Sequence, residues 1–332
     1  MTGLAGLPDS VRSALRDERV PDWRAPTLAT LTEKRFSDPG WIFERKFDGM
    51  RCLGFRDGDR VRLLSRNHQS LNGTYPELVD ALAAQHATRF VVDGEVVAFD
   101  GRRTSFARLQ GRLGITNAEA ARASPIHVYY YLFDLLHLDG KSTIGIPLSW
   151  RKRLLRNAIQ FSDPLRNTPH RVEDGIAAYR AACQRGDEGV IAKLADASYD
   201  GGRSPNWLKF KCVRDQEFVV GGYTAPKGSR IGLGALLLGY HDGRDLVFAG
   251  KVGTGFDQAT LRSLHKRLSA IERDAPPFTR GLKHEADARW VDPELVAQIG
   301  FTEWTRDGKL RHPRYQGLRT DKNAAEVVRE TR

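Results

Sequence analysis

Glu44-Arg45-Lys46-Phe47-Asp48-Gly49-Met50-Arg51 is the stretch on which the reading of the whole chain turns. A short apolar run, Trp41-Ile42-Phe43, leads into it. Arg51-Cys52-Leu53-Gly54-Phe55 and Val61-Arg62-Leu63-Leu64-Ser65 follow, and these runs read as strands broken by Asp-Gly pairs. Lys46 thus stands at the end of a strand, with acids and cations on both sides. Further along come Asp93-Gly94-Glu95, then Asp187-Glu188-Gly189-Val190-Ile191-Ala192-Lys193, then Trp207-Leu208-Lys209-Phe210-Lys211. Period-two alternation puts Trp207, Lys209 and Lys211 on one face of a strand. Carboxylates and several cations on neighbouring strands suit a phosphate with Mg2+ better than a bare organic ligand.

Taken singly, each element has an everyday reading. Asp48-Gly49 and Asp93-Gly94 fit hairpin turns, Lys209 and Lys211 a solvated strand face, and Glu188-Gly189 a helix end. Their joint order over the first 211 residues argues for chemistry. Other motifs fail. Gly140-Lys141-Ser142 ends like a phosphate-binding loop, but Leu135 stands where its first glycine belongs. Gly232 and Gly234 lack their third partner. The nine histidines show no paired metal-ligand spacing, and no G-x-S-x-G elbow is present.

The 332 residues are 40 % apolar and 28 % charged, enough for two folded domains. A net charge of +11 points to a polyanionic partner. No run approaches the roughly 18 apolar residues of a membrane span, and the charged first twenty residues are unlike a signal peptide. Cys52, Cys183 and Cys212 are odd in number and far apart, so we expect neither a disulfide framework nor a zinc knuckle, and a cytosolic chain. Thr74 and Glu77 fit a capping box opening a helix. Further helices are expected after Pro147, over 173–185, and over 257–269. After Cys212, short strands with Gly-rich turns suggest a small β-barrel. We therefore expect domains at 1–211 and 212–332. In the second, six positive and two negative residues fall within Arg306–Lys322.

Lys46-Phe47-Asp48-Gly49-Met50-Arg51 has the form KxDGxR, the signature of the covalent nucleotidyltransferases. The DGE, EGVIAK and WLKFK elements stand in that family's order, and Ser65-Arg66-Asn67 looks like its next segment. From about Pro26 onward the chain most resembles the ATP-dependent ligase module of bacterial end-joining ligases, especially in FTEWTRDGKLRHPRYQGLRTDK near its end. The resemblance implies an α+β fold: an adenylation domain of antiparallel sheets with flanking helices, then a C-terminal OB-fold β-barrel. It implies that Lys46 attacks the α-phosphate of ATP to form a lysyl-AMP, with Asp48 positioning it. Lys209 and Lys211 would hold the phosphate and make Lys46 easier to deprotonate. Glu44, Arg51, Arg66, Glu95, Phe133 and Lys193 would contact the nucleotide. Glu188 and Glu95 would hold Mg2+ (or Mn2+), and Arg311, Arg319, Asp321 and Lys322 match the last family motif.

By the same resemblance, AMP passes to the 5′-phosphate of nicked or broken duplex DNA, and the 3′-hydroxyl displaces it. About 25 residues precede the ligase-like region, too few for the additional DNA-binding domain of large eukaryotic ligases, and no fused polymerase or phosphoesterase region is seen, so we expect Ku and the polymerase or nuclease activities of end joining in other chains. Binding through two domains implies weak, strongly salt-dependent DNA affinity. A monomer in the bacterial cytosol or nucleoid would suffice. Two other readings stay open: an RNA ligase or capping-type guanylyltransferase with the same lysine chemistry, and a non-catalytic OB-fold protein that binds nucleic acid.

Overall fold

The computed structural model describes residues 3–330 except 213, 214, 227, 229, 283, 284 and 286. The chain divides into two compact units, the first ending at Cys212 and the second following it.

Two sheets make the first unit. In the larger, the strand Met50–Asp57 lies between Arg60–Ser65 and Arg89–Val97, and Tyr129–Leu138 pairs with the far side of Arg89–Val97. In the smaller, the order is His170–Val172, Trp41–Lys46, Gly189–Leu194, Gly202–Lys211, Thr27–Leu31. Most neighbours are antiparallel; Leu165–Asn167 on Tyr129–Leu138 and Gly202–Lys211 on Thr27–Leu31 are parallel. The outer face of the larger sheet packs under helices Pro76–Ala83, Phe106–Leu113 and Leu148–Ala158, around Tyr75, Leu78, Leu109, Leu154 and Leu155. The helix Gly175–Arg185 covers the smaller sheet over Phe43, Val190 and Phe210. Between the sheets, Leu53, Phe55, Val91, Phe133 and Leu136 meet Tyr199 and Trp207.

Four local readings are corrected. Trp41–Lys46 and Met50–Asp57 belong to different sheets, so Asp48-Gly49 carries the chain from one sheet to the other and is no hairpin turn. Asp93-Gly94 lies inside a strand, opposite Asp134 and Leu132. The Thr74–Glu77 capping box does not form: Tyr75 is the N-cap, and Arg112 takes both the Thr74 carbonyl oxygen and the Glu77 carboxylate. That guanidinium is buried, and a buried cation is retained only with such partners. Cys183 and Cys212, 29 residues apart, form a disulfide that ties the last turn of Gly175–Arg185 to the end of Gly202–Lys211. Spacing could not disclose it, since only the fold brings these elements together.

Among the described residues of the second unit no sheet closes into a barrel, which overturns the expected OB-fold. Asp215–Thr224 pairs with Leu236–Asp242 on one side; on the other, its first half pairs with Val296–Gly300 and its second half with Ala288–Val291. The sheet therefore forks. Its three outer strands are Asp245–Val252, Glu272–Arg273 and Arg314–Leu318, and among the described residues no ladder joins any two of them. The open edge at Asp245–Val252 is satisfied otherwise: Thr279 N–H donates to the Leu246 carbonyl, Phe248 N–H to the Arg280 carbonyl, and the Lys309 ammonium to the Phe248 carbonyl. Backbone groups already paired in this way have no need of a closing strand. The helix Gln258–Ser269, capped by Asp257 on the Thr260 N–H, packs Leu261, Leu264 and Leu268 into this unit's core.

Candidate active site

The strands Trp41–Lys46, Gly189–Leu194 and Gly202–Lys211 set the site's lower face. Directly opposite one another stand Lys46, Gly189 and Lys211; then Glu44, Ile191 and Lys209; then Ile42, Lys193 and Trp207. Opposed residues project from the same face of a sheet. Lys46, Lys209, Lys211, Lys193 and Glu44 therefore share one surface. Gly189 has φ +148°, and a Cβ there would come within 2.0 Å of the Phe210 carbonyl oxygen. Glycine is required here, and it leaves no side chain between Lys46 and Lys211. The Lys46 ammonium pairs with the Glu188 carboxylate, both largely shielded from water. Cys212 N–H donates to the Glu188 carbonyl oxygen at 3.0 Å, fixing the loop that presents Glu188.

The larger sheet supplies the upper face. Asp93 lies opposite Asp134 and Gly94 opposite Leu132, which leaves Phe133 as the extra residue of a bulge. A bulge re-aims a side chain, and the Phe133 ring meets Trp207 edge-on, 6.0 Å between centroids. Lys193 Nζ lies 4.0 Å and 3.9 Å from the centres of these two rings and 2.7 Å from Glu44 Oε2. Lys152 pairs with the other Glu44 oxygen and donates to the Phe133 carbonyl at 3.3 Å.

These three charges are buried together. Burial disfavours ionised Glu44, but Lys152 and Lys193 outweigh it and hold the carboxyl below the usual range. Burial also pushes Lys193 down to about 8; Glu44 opposes that shift and Lys152 adds to it. An ion cluster of this kind persists only because each charge has a partner at hand.

Arg51 forks onto Asp93 at 2.5 and 2.6 Å and donates to the Thr27 carbonyl oxygen at 3.1 Å. Its guanidinium is 4.7 Å from the Phe133 ring centre. Tyr199 O–H donates to the same Asp93, so Arg51 is locked in the wall of the pocket. Glu95 stands opposite Arg51 on the next strand. Asp48 accepts from the Phe106 N–H at 3.0 Å, and its own N–H donates to Thr104 Oγ1 at 3.1 Å, which anchors the loop after Lys46. Arg66 sits half-buried in the turn that closes Ser65 onto Gln69. Among the described residues no three His, Cys, Asp or Glu side chains converge as a metal site.

In the second unit Arg311 pairs with Glu303 at 2.6 Å, Arg319 forks onto Asp321 at 2.8 Å, and Lys322 meets Glu217 at 3.2 Å. Three of the six positive side chains of the basic terminal stretch are thus paired with carboxylates of their own unit.

Sequence reasoning missed Lys152 and the Arg151–Asp134 pair, whose side chains are fully buried at 2.7 Å, and saw Asp93 only as part of Asp93-Gly94-Glu95, without its partner Arg51. The available signal was helical spacing. Leu148, Arg151, Lys152 and Leu155 fall on one stripe of Leu148–Ala158, and charges on an apolar stripe announce buried partners.

Comparison with known proteins bears on this arrangement. Residues 26–211 match the family described as ATP dependent DNA ligase domain, and residues 229–322 match ATP dependent DNA ligase C terminal region. The multifunctional non-homologous end joining protein LigD of Pseudomonas aeruginosa is 36 % identical over 319 residues, covering 94 % of this chain and 37 % of that protein. Its Mycobacterium tuberculosis counterpart is 39 % identical over 328 residues, 95 % of this chain and 41 % of that one. The chain spans about two fifths of the length of these relatives. A solved structure of mycobacterial DNA ligase D complexed with ATP and MES covers 93 % of this chain and 99 % of its own, with 35 % identity and a TM-score of 0.65. With a lysine, its carboxylate partner and two further lysines on one sheet face, and with both units matched, this chain belongs to the ATP-dependent DNA ligases.

Proposed function

We propose that this chain seals nicks and breaks in duplex DNA in three nucleotidyl transfers, in repair by end joining. One observation carries the reading: Lys46, at a strand end, shares a face with Lys209 and Lys211, is paired with Glu188, and has only Gly189 between it and Lys211. Adenine would lie against Phe133, near Glu44 and Lys193, with the phosphates directed to the lysines. Lys46 Nζ forms a bond to the α-phosphorus, the bond to the β-phosphate oxygen breaks, and pyrophosphate leaves. Lys46 gives up its ammonium proton to water before it attacks, and the proton displaced from nitrogen as the P–N bond forms leaves to water or the departing pyrophosphate; Glu188 orients the Lys46 ammonium beforehand. Lys209 and Lys211 would offset the charge that accumulates on the transferring phosphate. The AMP then passes to a DNA 5′-phosphate, regenerating Lys46, and the 3′-hydroxyl oxygen displaces AMP to close the phosphodiester.

Mg2+ or Mn2+ fits the donor set, because hard oxygen ligands from one or two carboxylates are completed by substrate phosphates and water. Glu188 and Glu95 would hold it, and when bound it would neutralise charge on the departing pyrophosphate. DNA-end bridging and end processing would fall to partner proteins.

Incubation with α-labelled ATP, then with nicked DNA, tests the reading. Wild type should carry label and seal the nick in a chelator-sensitive way, and Lys46→Ala should do neither. Label from GTP and not ATP, or sealing confined to RNA strands, would favour a capping enzyme or an RNA ligase. An adduct that persists in Lys46→Ala would displace Lys46 as the nucleophile.

A further inference from the structure

The upper face extends beyond the nucleotide pocket. Arg51, Glu95, Tyr131 and Arg166 stand opposite one another on four neighbouring strands, Met50–Asp57, Arg89–Val97, Tyr129–Leu138 and Leu165–Asn167. The Arg51 end of this row is taken up by Asp93, Phe133 and Trp207. The other end is an aromatic shelf. Phe47, the residue after Lys46, lies on Tyr131 with 4.4 Å between ring centroids. Phe99 meets Tyr129 and Tyr131 edge-on at 5.6 and 6.4 Å. The Arg166 guanidinium is 3.9 Å from the centre of Tyr129. Asp163 holds that guanidinium with two hydrogen bonds, 2.7 and 3.0 Å, and Arg166 donates to the Tyr131 hydroxyl at 3.1 Å.

We propose that this shelf stacks the terminal nucleotide of the DNA strand presented to Lys46; the proposal rests on the ligase reading above. Three observations support it. The shelf begins one residue from the nucleophile, and the adenine-side rings Phe133 and Trp207 stand at the opposite end of the same row. Tyr129, Tyr131, Phe99 and Arg166 are only half-buried, so part of each side chain meets solvent. Arg166 is already neutralised by Asp163, which suits it to flat stacking on a base; the charge attraction for phosphate comes from Lys46, Lys209 and Lys211. Aromatic and guanidinium planes bind single or frayed nucleotides through the π-face that every base has. A peptide partner would have no reason to lie beside the adenylated lysine.

The test separates the step that needs no DNA from those that do. Tyr129→Ala, Phe99→Ala and Arg166→Lys are assayed for self-adenylation with labelled ATP, and then for single-turnover sealing of nicked duplex already carrying a 5′-adenylate. Self-adenylation should stay within about twofold of wild type, while the nick concentration for half-maximal sealing rises about 10-fold or more on loss of one stacking plane. Tyr129→Phe, which keeps the ring, should seal like wild type. Unchanged sealing by Tyr129→Ala would overturn the shelf. Parallel loss of self-adenylation would also overturn it, by placing these rings in the nucleotide pocket or the scaffold. If wild type labels itself but seals no DNA, the ligase reading itself fails and the shelf falls with it.

Discussion

Replacing Glu44 with glutamine keeps the side chain's shape and removes the carboxylate that both Lys152 and Lys193 face. Those lysines are 3 % and 1 % exposed. Removing one partner of a buried ion pair costs about 3–5 kcal/mol, because the remaining charge stays out of water. Lys193 has a way out. It titrates at about 8, so giving up its proton at pH 7 costs the equivalent of about one pH unit, on the order of 1 kcal/mol. Its share of the penalty is capped near that figure at pH 7 and vanishes by about pH 9, where wild-type Lys193 is itself neutral.

The sign follows from proton counts. Between about 8 and the ordinary lysine value of 10.5, unfolded Lys193 binds more protons than folded Lys193, so its contribution to stability rises with pH. Glu44→Gln pushes the folded value lower still, and the variant's gain with pH therefore starts earlier. Urea unfolding at pH 7 and pH 9 should show Glu44→Gln destabilised at both, by on the order of 1 kcal/mol less at the higher pH. In a Lys193→Met background that pH-dependent part should disappear. A destabilisation that grows with pH, or that keeps its pH dependence without Lys193, would refute the account of the cluster.

Two further outcomes follow from the same geometry. Gly189→Ala drives a methyl toward the Phe210 carbonyl at a φ that L side chains rarely adopt, so it should cost about 1–3 kcal/mol of stability and cut lysyl-AMP formation at least tenfold; labelling at the wild-type rate would contradict the need for glycine between Lys46 and Lys211. Arg151→Met orphans a fully buried Asp134 and should lower stability by about 3–5 kcal/mol, much of it recovered in Arg151→Met with Asp134→Leu, as denaturant titration would show.

How much was legible can be followed residue by residue. Trp41–Lys46, Gly189–Leu194 and Gly202–Lys211 were readable as strands because apolar alternation is local, and that alternation put Lys209 and Lys211 on one face. The helix Leu148–Ala158 stood out as a basic amphipathic run after Pro147, and Gln258–Ser269 as the one helical stretch among the short strands after Cys212. Asp48-Gly49 misled, since a turn dipeptide looks the same whether the chain doubles back or crosses to another sheet. The barrel misled for a related reason: short strands and Gly-rich turns describe strands, and closure depends on which edges find partners. Here the edge of Asp245–Val252 is met by Thr279, Arg280 and Lys309.

By itself the sequence determined the order of the elements around Lys46 and the family to which they belong, and it singled out Lys46 as the candidate nucleophile, because these are properties of residue type and spacing along one chain. The tertiary structure decided which charges meet. It gave Arg51 to Asp93, enclosed Glu44 between Lys152 and Lys193, joined Cys183 to Cys212, and set Phe47 on Tyr131 beside Arg166. These residues lie far apart in sequence, and their energies depend on burial and on a few ångströms of separation. Such quantities exist only once the two sheets have closed on each other.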